Sequence, residues 1–208
     1  MYKRQSYNRA NEDELADAIG HRFIAWVDTN PPDIGNTCRE AIARARHNLS
    51  TDFIYDAWCD AAKSLGENQD GNGALMRCIY PGLWYRESVS ARRVAWMQSR
   101  MTHSGETSAR ACRYYANLVW AYVSGKGTKR LEKWLLRLIP CNDYGSAADV
   151  PADWSPSGYV VDTLHAVMLA MKEQTFEETL IKAVNFGGDA DTVGAIAGGL
   201  AGAKYGFK

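Results

Sequence analysis

Apolar side chains recur at helical spacing along most of this sequence. The first set, whose members repeat three and four residues apart, comprises Leu15, Ile19, Phe23, Trp26 and Val27. Comparable stripes predict further helices over residues 38–47, 50–65, 74–80, 89–101, 111–122, 131–139, 159–172 and 176–184. Pro81 and Gly82 are expected to end or kink the helix before them. Because no stretch alternates as a strand and no heptad repeat persists, the pattern predicts an all-α fold, a compact single-domain orthogonal helical bundle.

The last predicted helix, over residues 193–205, consists mostly of small side chains. Gly194, Gly198 and Gly202 fall on one of its faces, and each glycine disfavours a helix by up to about 1 kcal/mol relative to alanine. Close approach of neighbouring helices must therefore compensate. The run is too short and its flanks are too charged for a membrane dimer face, so we interpret it as a buried central helix.

The composition is that of a globular protein with a sizeable core. The chain has 208 residues, 46% of them hydrophobic, which favours one domain over residues 1–208. Lys and Arg total 24 and Asp and Glu total 24, so no basic field favours nucleic acid or an anionic membrane. Five cysteines without a Cys-x-x-Cys pair argue against a disulfide framework or a zinc site. With no apolar run of about 18 residues and no secretory signal, we expect a cytoplasmic monomer whose substrate is a small molecule or a group attached to a protein.

A polar cluster directly precedes the small-residue helix. Gly187 and Gly188 allow a sharp turn, and Asp189, Asp191 and Thr192 follow at the predicted helix N-terminus. Carboxylate and hydroxyl oxygens are the ligands that Mg²⁺, Mn²⁺ or Ca²⁺ prefers. Asp and Thr are also the residues that commonly cap a helix. From these residues alone, a metal site and a capped helix both remain open.

Four other helix junctions carry polar groups, each with a structural alternative. Asp33, on a proline-rich turn, is a candidate carboxylate or a turn residue. The segment 70–77 is a glycine-containing phosphate cradle that ends in an arginine, or a plain connector. His103 binds a ligand hydroxyl or caps a helix end. Trp154 and Tyr159 stack on a base or pack in the core.

The order of these segments resembles the ADP-ribosylglycohydrolase family. The matching stretches are Pro-Pro-Asp-Ile-Gly-Asn-Thr (31–37), Gly-Asn-Gly-Ala-Leu-Met-Arg (71–77), Thr-His (102–103), Gly-Tyr-Val (158–160), and Gly-Gly-Asp-Ala-Asp-Thr (187–192) with the glycine-rich helix behind it. The likeness runs from about residue 15 to residue 206. It implies an all-α enzyme that uses a pair of Mg²⁺ or Mn²⁺ ions to hydrolyse the bond between ADP-ribose and a protein side chain or small molecule.

The resemblance also implies a role for each matching residue. Asp189, Asp191 and Thr192 would be metal ligands, and both aspartates would take part in catalysis. Asp33 would lie by the ribose as a proton acceptor or water-orienting carboxylate, as the oxocarbenium character of glycosidic cleavage requires. The residues expected to bind the substrate are Asn72, Gly73, Met76, His103, Gly158, Tyr159, Gly187 and Gly188.

The sequence departs from the family at its beginning. The family's N-terminal metal-ligand motif, Thr-Asp-Asp-Thr or Ser-Asp-Asp, and the Gly-Asp-Ala motif before it are not present. Residues 1–5 back-translate, with a GTG start, to GTG TAT AAG AGA CAG, which looks like a transposon-end sequencing adapter. We therefore expect residues 1–9 to be artefactual or disordered and the native reading frame to continue upstream. The alternative is a catalytically inactive relative that binds ADP-ribose.

Overall fold

The computed structural model describes residues 12–47, 54–67, 69–129 and 154–206. Within these ranges the chain is helical and contains no strand, which confirms the predicted all-α class. The helices, numbered in chain order, are α1 (Glu12–Asp28), α2 (Asn36–Arg46), α3 (Ile54–Lys63), α4 (Gly73–Met76), α5 (Ile79–Trp84), α6 (Ser88–Arg100), α7 (Glu106–Val123), α8 (Val160–Ala170), α9 (Phe176–Asn185) and α10 (Ala190–Tyr205). Two predicted helices are affected by the gaps. The helix predicted over 131–139 and the start of the helix predicted from residue 50 lie outside the described residues.

The two largest clusters of buried hydrophobic side chains organise the described part of the chain. The larger one joins α7, α8 and α10, with Tyr115, Leu164 and Ile196 among its most buried side chains. The smaller one joins α1, α2 and α3 around Trp58 and Ile42. A cleft is lined by residues of α1, α2 and the loop between them, and by residues of α4 and the start of α10.

The glycine face of α10 packs closely against α9, as the sequence predicts. A Cβ added at Gly194 would lie 3.1 Å from Val184, and one added at Gly198 would lie 3.1 Å from Leu180. Tyr115 approaches another side of the helix, where its hydroxyl donates a hydrogen bond of 2.9 Å to the carbonyl oxygen of Ile196. Packing on several sides therefore compensates for the low helix propensity of glycine.

The helix predicted over residues 74–80 is instead two short helices, α4 and α5. Pro81 does not end a helix, because it lies in the first turn of α5, where its missing N–H would have no intrahelical partner. Gly82 does not end a helix either. It lies buried against α7, and a Cβ at this position would come within 2.6 Å of the carbonyl oxygen of Ala116. Gly82 therefore serves the packing of α5 on α7.

The described cysteines are free thiols buried in the fold, which agrees with the absence of a Cys-x-x-Cys pair: Cys38, Cys59, Cys78 and Cys112. Cys141 lies outside the described residues. Among the described helices, none has the length and apolar character needed to cross a membrane.

Candidate functional site

A cleft of about 670 Å³ brings together residues from widely separated parts of the chain. Most of the site residues predicted from the sequence line it, namely Asp33, Asn72, Gly73, Met76, His103, Gly158, Asp189 and Thr192. Four others do not belong to its walls: Asp191, Tyr159, Gly187 and Gly188.

The loop before α4 is tied to the start of α8 by backbone hydrogen bonds. The N–H of Asn72 donates to the carbonyl oxygen of Gly158 at 3.0 Å, and the N–H of Val160 donates to that of Asp70 at 3.0 Å. Gly71 and Tyr159 form an isolated antiparallel bridge between these contacts. The bridge holds two of the predicted motifs side by side. It also commits the N–H of Asn72, which is therefore not available to cradle a phosphate.

The side chain of Asn72 connects three elements of the cleft. This buried amide donates one hydrogen bond of 2.8 Å to the hydroxyl of Thr163 on α8 and one of 2.5 Å to Oδ2 of Asp189. Both amide hydrogens are thereby used. The bond to an ionised carboxylate is the stronger kind, because one partner carries a full charge. Asn72 therefore fixes the orientation of Asp189 beside the cleft.

Asp189 occupies the N-cap position of α10, but its side chain makes no capping hydrogen bond. The capping alternative is therefore wrong for this carboxylate, whose Oδ2 is held by Asn72 instead. The backbone turn before it depends on glycine. Gly187 and Gly188 have φ values of 69° and 57°, and a Cβ at Gly188 would overlap the carbonyl oxygen of Pro156. The N–H of Asp189 donates to that same oxygen at 3.0 Å.

Asp191 and Thr192 lie in the first turn of α10 but differ in exposure. Thr192 is buried and lines the cleft, whereas Asp191 is exposed and outside its walls. A carboxylate in the first turn also interacts favourably with the helix dipole, so Asp191 has a structural role at this place.

The oxygen donors at the start of α10 match the chemistry of a divalent cation only in part. Two carboxylates and a hydroxyl are hard ligands of the type that Mg²⁺ and Mn²⁺ take, and Mg²⁺ requires about six. Within the described residues, no group of three or more His, Cys, Asp or Glu side chains is arranged to hold a metal. Asp189, Asp191 and Thr192 therefore supply donors of a suitable chemical type, and their binding of a metal stays a prediction.

Asp33 lies exposed on the loop between α1 and α2 and lines the cleft. It is not a helix cap, because Gly35 occupies the N-cap position of α2. Its carboxylate makes no hydrogen bond or ion pair with another described side chain or backbone group. A carboxylate of this kind can interact with a ligand or water in the cleft without first breaking an internal contact.

Arg77 lines the cleft, but internal partners already hold its guanidinium. Nη2 donates to the hydroxyl of Thr102 at 2.7 Å and to the carbonyl oxygen of Gln98 at 3.1 Å. Nε donates to the Gln98 side chain at 2.5 Å, and Nη1 donates to the carbonyl oxygen of Gly73 at 3.2 Å. The guanidinium also lies 4.4 Å from the ring centre of Phe23. Arg77 therefore stabilises the wall of the cleft, which weakens the idea that it completes a phosphate cradle.

His103 lies in the loop between α6 and α7 and is only 1% exposed. Its Nδ1 and the hydroxyl of Thr102 are 2.8 Å apart, within hydrogen-bond distance. Burial, together with the positive charge of Arg77, lowers the pKa of His103 to about 3, so its imidazole is neutral at neutral pH. His103 is not a cap residue, because Met101 occupies the C-cap position of α6 and Gly105 the N-cap position of α7, and its ring lines the cleft.

The two aromatic residues around Gly158 have different surroundings. Trp154 packs against the rings of His165 and Phe186, with centroid distances of 5.4 and 5.9 Å, so core packing is the correct interpretation for it. Tyr159 is 42% exposed at the N-cap position of α8. Its ring lies outside the cleft walls, and base stacking by Tyr159 stays a prediction.

Some cleft residues were not predicted from the sequence. Trp26 belongs to the apolar stripe of α1, which predicts burial, yet it is 44% exposed and lines the cleft together with Phe23. Asn36 and Thr37 also line it. The motif at 31–37 contains both of these polar residues and could have indicated them. For Trp26 the sequence carries no such signal, because helical spacing does not separate a core face from a cleft face.

The chain is similar to several known proteins. A family model described as ADP-ribosylglycohydrolase matches residues 4–208. The ADP-ribosyl-[dinitrogen reductase] glycohydrolase of Rhodospirillum rubrum is 36% identical, and the alignment covers 93% of this chain and 62% of that protein. The ADP-ribosylarginine hydrolase Tri1 of Pseudomonas putida (strain GB-1) is 29% identical over 85% of this chain and 47% of that protein.

A solved structure is also similar. It is described as an ADP-ribosylglycohydrolase-related protein complex, is 27% identical, and superposes with a TM-score of 0.63 over 95% of this chain and 70% of that chain. This chain thus spans 62% and 47% of the lengths of the two curated relatives named above.

Proposed function

This chain belongs to the ADP-ribosylglycohydrolase family, and from that premise we propose that it binds an ADP-ribosyl group in the cleft and hydrolyses the bond to its acceptor. The acceptor is a protein side chain or a small molecule. The observation that carries the proposal is that two carboxylates from distant parts of the chain, Asp33 and Asp189, line one cleft.

Glycosidic cleavage requires a negative charge near the anomeric carbon and a positioned water molecule. Positive charge develops on the sugar as the bond to the acceptor breaks, and a nearby carboxylate stabilises it. We assign Asp33 to orient the attacking water and accept its proton, because no partner among the described residues competes for its oxygens. Asp189 is oriented by the 2.5 Å hydrogen bond from Asn72, so its carboxylate does not have to be ordered when the substrate binds.

We further propose that a divalent cation, Mg²⁺ or Mn²⁺, is held by Asp189, Asp191 and Thr192. Such an ion polarises oxygen atoms and lowers the pKa of water, and family members use two. The remaining ligands would come from water, from substrate or from residues other than those described. Asn72 orients the carboxylate of Asp189, because its side-chain amide donates a hydrogen bond to Oδ2.

Arginine is the acceptor that we favour. One relative is named as an ADP-ribosylarginine hydrolase, and the cleft offers a carboxylate and an exposed indole to a cationic guanidinium. Asp33 would attract the charge, and Trp26 would present its ring face to the planar group.

The second candidate function is binding of ADP-ribose without turnover. It is favoured by one observation, namely that the described residues contain no group of three metal-ligating side chains. A protein of this kind would keep the cleft and its affinity for ADP-ribose but would release nothing from a modified substrate.

One experiment separates the two functions. The 208-residue chain is incubated with an ADP-ribosylated arginine peptide under increasing Mg²⁺ or Mn²⁺, and released ADP-ribose is quantified by chromatography. The hydrolase predicts release that requires the cation. It also predicts that Asp189→Asn and Asp191→Asn lower the rate by orders of magnitude, whereas Asp56→Asn, on an exposed position of α3, does not.

Two results would contradict parts of this proposal, the first the role of Asp191 and the second hydrolysis itself. Rates in the Asp191→Asn variant that equal those of the original chain would remove Asp191 from the machinery. Absence of release at every cation concentration, combined with calorimetric binding of ADP-ribose, would select the binding function instead.

A further inference from the structure

The hydroxyl of Thr102 lies between the guanidinium of Arg77 and the imidazole of His103. Nη2 of Arg77 is 2.7 Å from Thr102 Oγ1, and Nδ1 of His103 is 2.8 Å from the same oxygen. An arginine side chain has only donors, so Thr102 must be the acceptor in the first of these bonds. The direction of the second bond then decides which nitrogen of His103 carries its hydrogen.

Among the described residues, one acceptor is available to the hydrogen of the Thr102 hydroxyl. Thr102 is 0% exposed, so water does not compete for this group. Among the described residues, the remaining hydrogen-bond partner of Oγ1 is Nδ1 of His103. If Nδ1 were protonated, Thr102 would accept two hydrogen bonds while its own buried hydrogen had no acceptor, which is costly. The hydroxyl therefore donates to Nδ1, and Nε2 carries the hydrogen of the neutral ring.

The guanidinium that sets this direction is itself fixed. Arg77 donates to the side chain and carbonyl oxygen of Gln98 and to the carbonyl oxygen of Gly73. Its planar group also lies against the ring of Phe23. A shift of Arg77 away from Thr102 would break several of these contacts at once, so the order Arg77, Thr102, His103 is rigid.

The Nε2 edge of His103 lies along the glycine loop of the cleft. A Cβ added at Gly71 would be 3.4 Å from Nε2, and one added at Gly73 would be 3.4 Å from Cε1. Both glycines and His103 line the cleft. The missing side chains leave space beside Nε2 that a larger residue would fill, so a ligand atom can approach this nitrogen.

We propose that Arg77 and Thr102 are positioning residues that hold His103 as its neutral Nε2–H tautomer, so that His103 donates a hydrogen bond to an acceptor oxygen of the ADP-ribosyl group and does not act as a general base. The identity of the ligand rests on the proposed function, whereas the tautomer does not. With Nδ1 engaged by Thr102 and Nε2 protonated, the ring has no free lone pair with which to remove a proton. The lowered pKa of His103, about 3, agrees with a ring that stays neutral.

The tautomer is measured directly by long-range ¹H–¹⁵N NMR on the full chain with ¹⁵N-labelled histidine. The chain has four histidines, and the signal of His103 is identified by its loss in His103→Gln. We expect a protonated Nε2 and an unprotonated Nδ1, unchanged between about pH 8 and pH 5. A hydrogen on Nδ1, or a charged ring at about pH 6, would overturn the proposal.

Substitutions of Thr102 test the relay. Thr102→Val removes the hydroxyl at nearly constant shape and should abolish the single-tautomer signature, whereas Thr102→Ser keeps the hydroxyl and should restore it. Thr179→Val is the matched control, because Thr179 is also fully buried but donates to the carbonyl oxygen of Thr175 on α9. An unchanged His103 signal in Thr102→Val would remove Thr102 from the relay.

Calorimetric titration with ADP-ribose tests the role of the donor. His103→Leu, which has none, should weaken binding about 10-fold, and His103→Gln, which keeps an N–H, should stay within about 3-fold of the original chain. Equal affinity of His103→Leu and the original chain would refute the hydrogen bond. If the original chain fails to bind ADP-ribose at all, the proposed function fails, while the tautomer is still decided by the NMR spectrum.

Discussion

Replacing Asn72 by alanine tests the network that orients Asp189. The substitution removes the donor of a 2.8 Å hydrogen bond to Thr163 and of a 2.5 Å hydrogen bond to the carboxylate of Asp189. Asn117 on α7 provides the matched control. It is similarly buried, and its side chain makes no hydrogen bond with another described residue. Asn117→Ala therefore deletes the same atoms without disconnecting the cleft.

The expected loss follows from the two hydrogen bonds. A bond between neutral groups contributes about 1 kcal/mol to stability, and a bond to a charged group contributes about 1.5–3 kcal/mol. Their sum, about 2.5–4 kcal/mol, is the amount by which Asn72→Ala should lower the free energy of unfolding beyond the effect of Asn117→Ala. The cavity contribution is similar in both variants and largely cancels in this difference.

Urea denaturation followed by circular dichroism measures both free energies of unfolding. Binding of ADP-ribose, measured by calorimetry in the same two variants, adds a second readout. Asn72→Ala should bind more weakly because Asp189 is no longer oriented, whereas Asn117→Ala should bind as the original chain does. Equal stability and equal affinity of the two variants would refute the reasoning that Asn72 organises this site.

Three further predictions concern Gly188, Gly82 and the buried ring of His103, and each is measured by denaturation. Gly188→Ala should destabilise by about 1–3 kcal/mol more than Gly187→Ala, because both glycines have positive φ but only Gly188 would overlap a neighbouring carbonyl oxygen. Gly82→Ala should cost about 1–3 kcal/mol, whereas Gly127→Ala, which would enter open space, should be neutral or slightly stabilising. The pKa of His103 is lowered from 6.5 to about 3, so the unfolded chain binds a proton that the folded chain does not, and stability should fall as pH drops below about 6.5. This fall should amount to about 1 kcal/mol per pH unit and should shrink clearly in His103→Gln. Burial also lowers the pKa of His165, so a smaller slope remains in that variant, whereas an undiminished slope would refute the contribution of His103.

Helical periodicity predicted most of the fold, and its failures have local causes. The bounds predicted for α6, α7 and α9 agree with the structure to within a few residues, since each helix carries a clear apolar stripe. The division between α4 and α5 was missed, because Pro81 was interpreted as the end of a helix when it is part of the first turn of one. Trp26 belongs to the apolar stripe of α1 and is nevertheless half exposed in the cleft.

Motifs predicted which residues meet at the cleft but not what each of them contacts. Asp33, Asn72, His103 and Asp189 do line one cavity, although the sequence separates them widely. Arg77 was considered for a phosphate cradle, and only the structure shows that Gln98, Thr102 and Gly73 already use its guanidinium. The type of a residue indicates which hydrogen bonds its side chain can donate or accept, whereas the partners of those hydrogen bonds come from other helices.

The N-terminus of α10 shows which features the sequence determines and which ones only the tertiary structure determines. By itself, the sequence determined a sharp glycine turn, oxygen-bearing residues at a helix start and a small-residue face that needs close neighbours, because these features depend on local backbone chemistry. Only the tertiary structure decided that the Asp189 side chain accepts a hydrogen bond from Asn72 and does not cap the helix. It also decided that Thr192 lines the cleft and that Asp191 is exposed. The physical reason is that a hydrogen bond between residues 72 and 189 exists only after the helices that carry them have packed together.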